Sequence, residues 1–137
     1  MPATNTVTAS SPAGLVQVQV LSAFGQMLYA DLPTAEGGVN SGFEINDLLI
    51  AALAADTNLA IRREAMLAGL AGQEITVQLS YSPPAGGAPP MVERRLDIGG
   101  LLREPERRQL LTAAAATPLY PLLAAVLTIQ TVLLARS

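Results

Sequence analysis

The sequence predicts an α+β fold: two β-hairpins forming a mostly antiparallel four-stranded sheet covered by helices, with two C-terminal helices, the last strongly apolar. Three observations predict it. Val16, Val18 and Val20 alternate with Gln17 and Gln19, and Ile75, Val77, Leu79 and Tyr81 alternate with Thr76, Gln78 and Ser80. This period of two marks half-buried strands. Between them, Ile45, Leu48, Leu49, Ala52 and Leu53 recur at helical spacing. From Gln109 to Ala135 the chain then carries no charge at all.

The elements follow in order. Residues 1–13 are rich in Thr, Ser, Ala and Pro and read as a flexible or assembly arm, ahead of a single domain over 14–137. Within that domain, 14–100 hold hairpin, helices and hairpin, and 101–137 hold the C-terminal helical pair. A first strand over 15–22, a turn at Phe24-Gly25-Gln26 and a second strand over 27–32 make the first hairpin. Residues 33–41 are a loop. Its Gly37-Gly38 lacks the Gly-Lys-Ser/Thr continuation of a phosphate loop.

Ser41-Gly42-Phe43-Glu44 has capping-box spacing and announces the first helix. A hairpin followed by a capped helix is similar in topology to the start of ubiquitin-like folds. The extra helix and the apolar tail depart from that pattern. Asp56-Thr57-Asn58 reads as a second cap cluster, starting another helix over 59–71 that Gly72 ends. A strand over 74–81, the semi-rigid loop SPPAGGAPP and a strand over 91–98 make the second hairpin. On the last strand Arg94 shares the face of Val92, Leu96 and Ile98, which suggests an edge, a bulge or an interface ion pair. Glu104-Pro105-Glu106 suits a helix start, with proline in the first turn and acids at the positive end of the dipole.

The last stretch has two readings. From 117 to 135 the chain is barely long enough to cross a bilayer core of about 30 Å. As a helix it presents a bulky stripe of Leu122, Val126, Ile129 and Leu133. Tyr120, Ala124, Thr128, Thr131 and Ala135 make a small or weakly polar stripe. Gln130 deep in the run, the absence of Trp and Lys, and the single following Arg favour a buried or subunit-packed helix over a membrane anchor.

Composition narrows the chemistry. Half the residues are hydrophobic and 14% are charged, enough apolar material for a core and too little charge for a disordered chain. The net charge is −3 and all eight basic residues are arginine, so no basic footprint for nucleic acid exists. There is no Cys and no His, which excludes thiol and imidazole catalysis, disulfides and zinc sites. Glu44, Asp47, Glu104 and Glu106 could form a glycosidase pair, but all sit at helix starts, and the sugar platforms that Trp provides are missing. No cofactor, metal site or catalytic residue is expected. No secretory signal opens the sequence, so cytoplasm or an assembled particle is favoured.

The function this supports is a non-enzymatic structural protein, a self-associating subunit of a larger complex such as a virion, tail or secretion apparatus. Its partners would be protein subunits. The expected contact residues are Pro83, Pro84, Pro89 and Pro90 of the projecting loop, Arg94, and the Leu122, Val126, Ile129 and Leu133 stripe. The alternatives are a protein anchored in a membrane through 117–135 and a small soluble adaptor or chaperone.

Overall fold

A computed structural model of the chain describes residues 4–134. Residues 1–3 of the expected arm, and Ala135 of the expected apolar helix, lie outside the described residues. The order of elements is β1 (Val7–Ser10), β2 (Val18–Ser22), β3 (Met27–Ala30), α1 (Ile45–Leu67), β4 (Ile75–Ser82), β5 (Met91–Ile98), α2 (Glu104–Ala115), α3 (Leu119–Ala124) and β6 (Thr128–Leu133). The class is α+β, but the expected four-stranded sheet is not formed. The described residues form two three-stranded sheets, β1-β2-β3 and β4-β5-β6. The chain divides into two units, Met1–Leu49 and Ile50–Ser137.

In the first unit, β2 pairs antiparallel with β1 and with β3, Val7 facing Ser22 and Val18 facing Ala30. The β2–β3 turn is held by Gly25, whose φ of 87° favours glycine, and by the Ser22 hydroxyl, which accepts from the N–H groups of Phe24 and Gln26. The segment after β3 doubles back onto it. Phe43 N–H donates to Tyr29 O, and Asp31 N–H donates to Phe43 O. Gly42 makes this approach possible, because a Cβ there would lie 2.5 Å from the Tyr29 carbonyl.

Asp31 organises the same loop. Its carboxylate accepts from the N–H groups of Leu32, Val39 and Ser41 and from the Ser41 hydroxyl. Ser41 therefore serves Asp31 with the hydroxyl that capping-box spacing had assigned to the start of α1. These donors, the Ser41 N–H first, hold the Asp31 carboxyl down at about 2. A depressed carboxylate stabilises the fold above its ordinary value near 4, and that contribution is lost as pH falls towards 2. Thermal melts of the wild type and Asp31→Asn should differ at pH 6 and converge between pH 4 and pH 2. A gap that stays constant over that window would show that Asp31 is not held in this way.

In the second unit, β4 and β5 form the expected antiparallel hairpin, Val77 facing Leu96 and Leu79 facing Arg94. The correction comes at the end of the chain. The expected long apolar helix is a six-residue helix, α3, followed by β6, which pairs parallel with β5. Four of the six residues of TIQTVL are β-branched, which favours an extended chain, and the free edge of β5 supplies its hydrogen bonds. A parallel pair needs a long crossover, and α2 and α3 provide it. No helix among the described residues is long and apolar enough to cross a membrane, and 117–135 is not one helix, so the anchor reading is withdrawn.

α1 is also longer than expected. It runs unbroken for 23 residues through Asp56-Thr57-Asn58, where a cap cluster was expected. Leu53, Thr57, Ile61 and Ala65 are its buried stripe, one residue per turn. The core of this unit joins Ile61 and Ala65 of α1, Ile75 of β4, Leu96 and Ile98 of β5, and Leu110 and Ala114 of α2. α2 starts at Glu104 as its sequence indicates, with the Glu106 carboxylate accepting from the Arg103 N–H.

Candidate functional site

Among the described residues of the second unit one cation, Arg94, is almost completely buried. Arg94 sits on the middle strand of its sheet, not at an edge, and is 2% exposed. Period-two alternation places it on the same face as Val92 and Leu96, beneath the helices. Its guanidinium is shared among the elements around it. Nε donates to Thr131 Oγ1 of β6 at 3.0 Å. Nη1 donates to Thr57 Oγ1 of α1 at 3.0 Å and to the Ala114 carbonyl near the C-terminal end of α2 at 2.9 Å. The guanidinium carbon stands 4.7 Å from the centre of the Tyr120 ring on α3.

No carboxylate among the described residues forms an ion pair with it. The charge is offset instead by the negative end of the α2 dipole, by the face of an aromatic ring and, at longer range, by Asp56. Burial pushes Arg94 below the ordinary arginine range, while Tyr120 and Asp56 act in the opposite direction.

Asp56 lies one residue before Thr57 on α1, and so beside this network. Its Oδ2 accepts from the Thr117 hydroxyl at 2.5 Å. The same Thr117 oxygen accepts from the Tyr120 N–H at 3.1 Å, which ties the start of α3 to α1. The two side chains open onto a cleft of about 630 Å³ between α1 and the end of α2, with Leu59, Ala60, Arg63 and Ala113 among its walls. That volume is in the range of small-molecule sites, and the lining sets apolar Leu59, Ala60, Met66, Ala113 and Ala116 beside charged Asp56, Arg62, Arg63 and Glu64.

The arrangement can accept a hydrogen bond and hold an apolar body. It is poorly built for nucleophilic attack. The Thr117 hydroxyl already donates to a carboxylate and accepts from a backbone N–H, and no imidazole or amine side chain exists to activate it. Among the described residues no group of three or more acidic side chains could hold a metal ion.

The residues expected as contacts are not brought together. Pro83, Pro84 and Pro89 are exposed in the β4–β5 loop, and the Pro90 carbonyl accepts from the N–H of Thr128. Leu122 and Val126 are exposed near α3, while Ile129 and Leu133 are half-buried on β6. Only Arg94 of that set belongs to the polar network. Asp56, Thr57, Thr117, Tyr120 and Thr131 were not singled out as a site. Arg94 on the apolar face of its strand was the one sequence signal near them, and it was read as an edge, a bulge or an interface ion pair rather than as a buried node.

No protein-family model matches the sequence, and no curated protein matches it. Solved structures do match. An OsmC-like protein from Mycoplasma pneumoniae superposes with a TM-score of 0.78 at 15% identity, over 100% of both chains. A protein from Psychrobacter arcticus, named as a candidate osmotic-stress-induced and detoxification-response protein, gives 0.78 at 15% identity over 98% of both. OsmC from Legionella pneumophila, named as an organic hydroperoxide resistance protein and regulator of sulfide bond formation, gives 0.68 at 19% identity over 96% of both. The chain therefore has the fold of the OsmC and organic hydroperoxide resistance proteins.

That fold overturns the expected role. Its bearers are named for stress response and hydroperoxide resistance, not as components of a virion, tail or secretion apparatus. The structural-subunit, anchor and adaptor readings are withdrawn with it. The expected absence of catalysis narrows to what composition decides: this chain has no thiol and no imidazole.

Proposed function

We propose that the chain is a binding protein for small organic amphiphiles, built on the OsmC and hydroperoxide-resistance fold and working without a thiol redox step. One observation carries the reading. The Asp56–Thr117 pair, beside the Arg94 network, stands in a cleft of mixed apolar and charged lining in a chain that has neither cysteine nor histidine. The names of the fold neighbours support organic molecules, hydroperoxides among them, as the ligand class. Chemistry separates this chain from a thiol peroxidase. Reducing a hydroperoxide to an alcohol takes two electrons, which a cysteine thiolate gives up on becoming a sulfenic acid. No side chain here can do that and be returned by an added dithiol.

The test pairs binding with turnover. Calorimetric titration should show cumene hydroperoxide and its alcohol both binding. With dithiothreitol present, hydroperoxide loss should stay at the rate of the protein-free control. Continuing loss beyond the four equivalents per chain that its methionines could consume on becoming sulfoxides would make the chain a peroxidase of another kind. Absence of binding by both compounds, and by the straight-chain amphiphiles octanoate and octanol, would remove the binding reading.

A further inference from the structure

Four charged side chains among the described residues line the cleft, and two of them, Asp56 and Arg63, have the most uncommitted hydrogen-bonding capacity along one face of α1. Asp56 Oδ2 accepts from Thr117, and among the described residues none donates to Oδ1. Arg63 is exposed and has no hydrogen bond or ion pair among the described residues. The other two charged side chains of the cleft each make one bond away from it, Arg62 through Nη1 and Glu64 through Oε1. Arg62 donates to the Ala71 carbonyl at 2.7 Å, and Glu64 accepts from Gln109 at 2.7 Å.

Asp56 and Arg63 are two turns apart on one face of α1, which separates them by about 10 Å, the reach of a chain of about eight carbons. Leu59 and Ala60 lie between them, with Ala113 and Ala116 across the cleft. The two ends ask for different heads. Arg63 offers a planar fork suited to a carboxylate. Asp56 asks for a donor, and a neutral hydroxyl suits it better than an ammonium. The nearby buried Arg94 already opposes its charge, and a second cation would meet that guanidinium and lose more hydration on entry.

We propose that the cleft selects medium-chain ω-hydroxy carboxylic acids, with the hydroxyl donating to Asp56 and the carboxylate paired with Arg63. This rests on the reading of the cleft as a binding site and names what the site prefers.

Titration of the full chain with ω-hydroxyoctanoate, octanoate and octanol tests it. A hydrogen bond to a charged acceptor predicts that ω-hydroxyoctanoate binds about tenfold or more tightly than octanoate. Asp56→Ala should bring the two acids to the same affinity. Arg63→Gln, an exposed change, should weaken both acids by a similar factor and leave octanol alone. If octanoate or octanol binds and the wild type shows no preference for the hydroxy acid, this inference is wrong and the binding reading survives. If none of the three binds, and cumene hydroperoxide and its alcohol do not bind either, both fall.

Discussion

Arg94→Ala should lower the stability of the chain by about 4 kcal/mol, among the largest effects of any single substitution in it. The side chain is 2% exposed, and its removal acts in three ways. It leaves a void under α1 and α2. It strips a donor from the buried Ala114 carbonyl, which α2 does not satisfy internally at its end. It also unties Thr57 and Thr131, so the contacts linking α1, α2 and β6 through one side chain are lost together.

Two further variants separate charge from shape. Arg94→Met fills much of the volume and buries no charge. Arg94→Lys keeps the charge and loses the fork. Because no carboxylate pairs with this cation, Lys leaves a buried ammonium with too few acceptors, and the Met protein should be the more stable of the two. Urea midpoints at unchanged m-value measure this ordering. An Arg94→Lys protein as stable as the wild type would mean that charge alone matters there. An Arg94→Ala protein within about 1 kcal/mol of it would mean that the network is not a structural node.

Where the sequence was legible, the signal was local. The valine alternation of β2, the β4–β5 hairpin with its Pro/Gly loop, and the start of α2 at Glu104 each depend on residues a few positions apart. The failures have a common physical cause. Asp56, Thr57 and Asn58 read as a helix break because such side chains compete for nearby backbone groups. In the fold each is occupied by a partner far along the chain: Asp56 by Thr117, Thr57 by Arg94, and Asn58 by the Ile75 carbonyl. With those side chains engaged, α1 continues through them. The candidate site was hidden for the same reason, since the bonds of Arg94 and Asp56 that build it join residues far apart in the chain.

β1 and β6 were missed differently. Val7–Ser10 is too short and polar to show a period, and it is a strand because β2 offers it an edge. In β6, Ile129 and Leu133 are four apart, a spacing that fits one face of a helix and one face of a strand alike. The β-branched run between them was the better guide.

Leu96→Ala should cost about 3–4 kcal/mol, and the reason lies in what surrounds it. Leu96 is completely buried on the middle strand, facing Val77 of β4 on one side and Leu133 of β6 on the other. Its carbonyl accepts from the Leu134 N–H at 2.8 Å, so the strand cannot shift to close a void without breaking the pairing of β6. Two of its neighbours in the core, Ala65 and Ala114, have no side-chain length with which to fill the space. A cavity here would stay open, which places the loss in the upper part of the range for a leucine.

The comparison that gives this force is Leu122→Ala. As part of an apolar helix stripe, Leu122 would be as deeply packed as Ile129 and Leu133. In the structure it is 68% exposed on α3, and its truncation should cost about 0.5 kcal/mol or less. Urea denaturation of the two variants should therefore differ by several-fold in the loss of stability. Equal losses would mean that Leu122 is buried as Leu96 is, as the expected terminal apolar helix has it and the observed α3 does not.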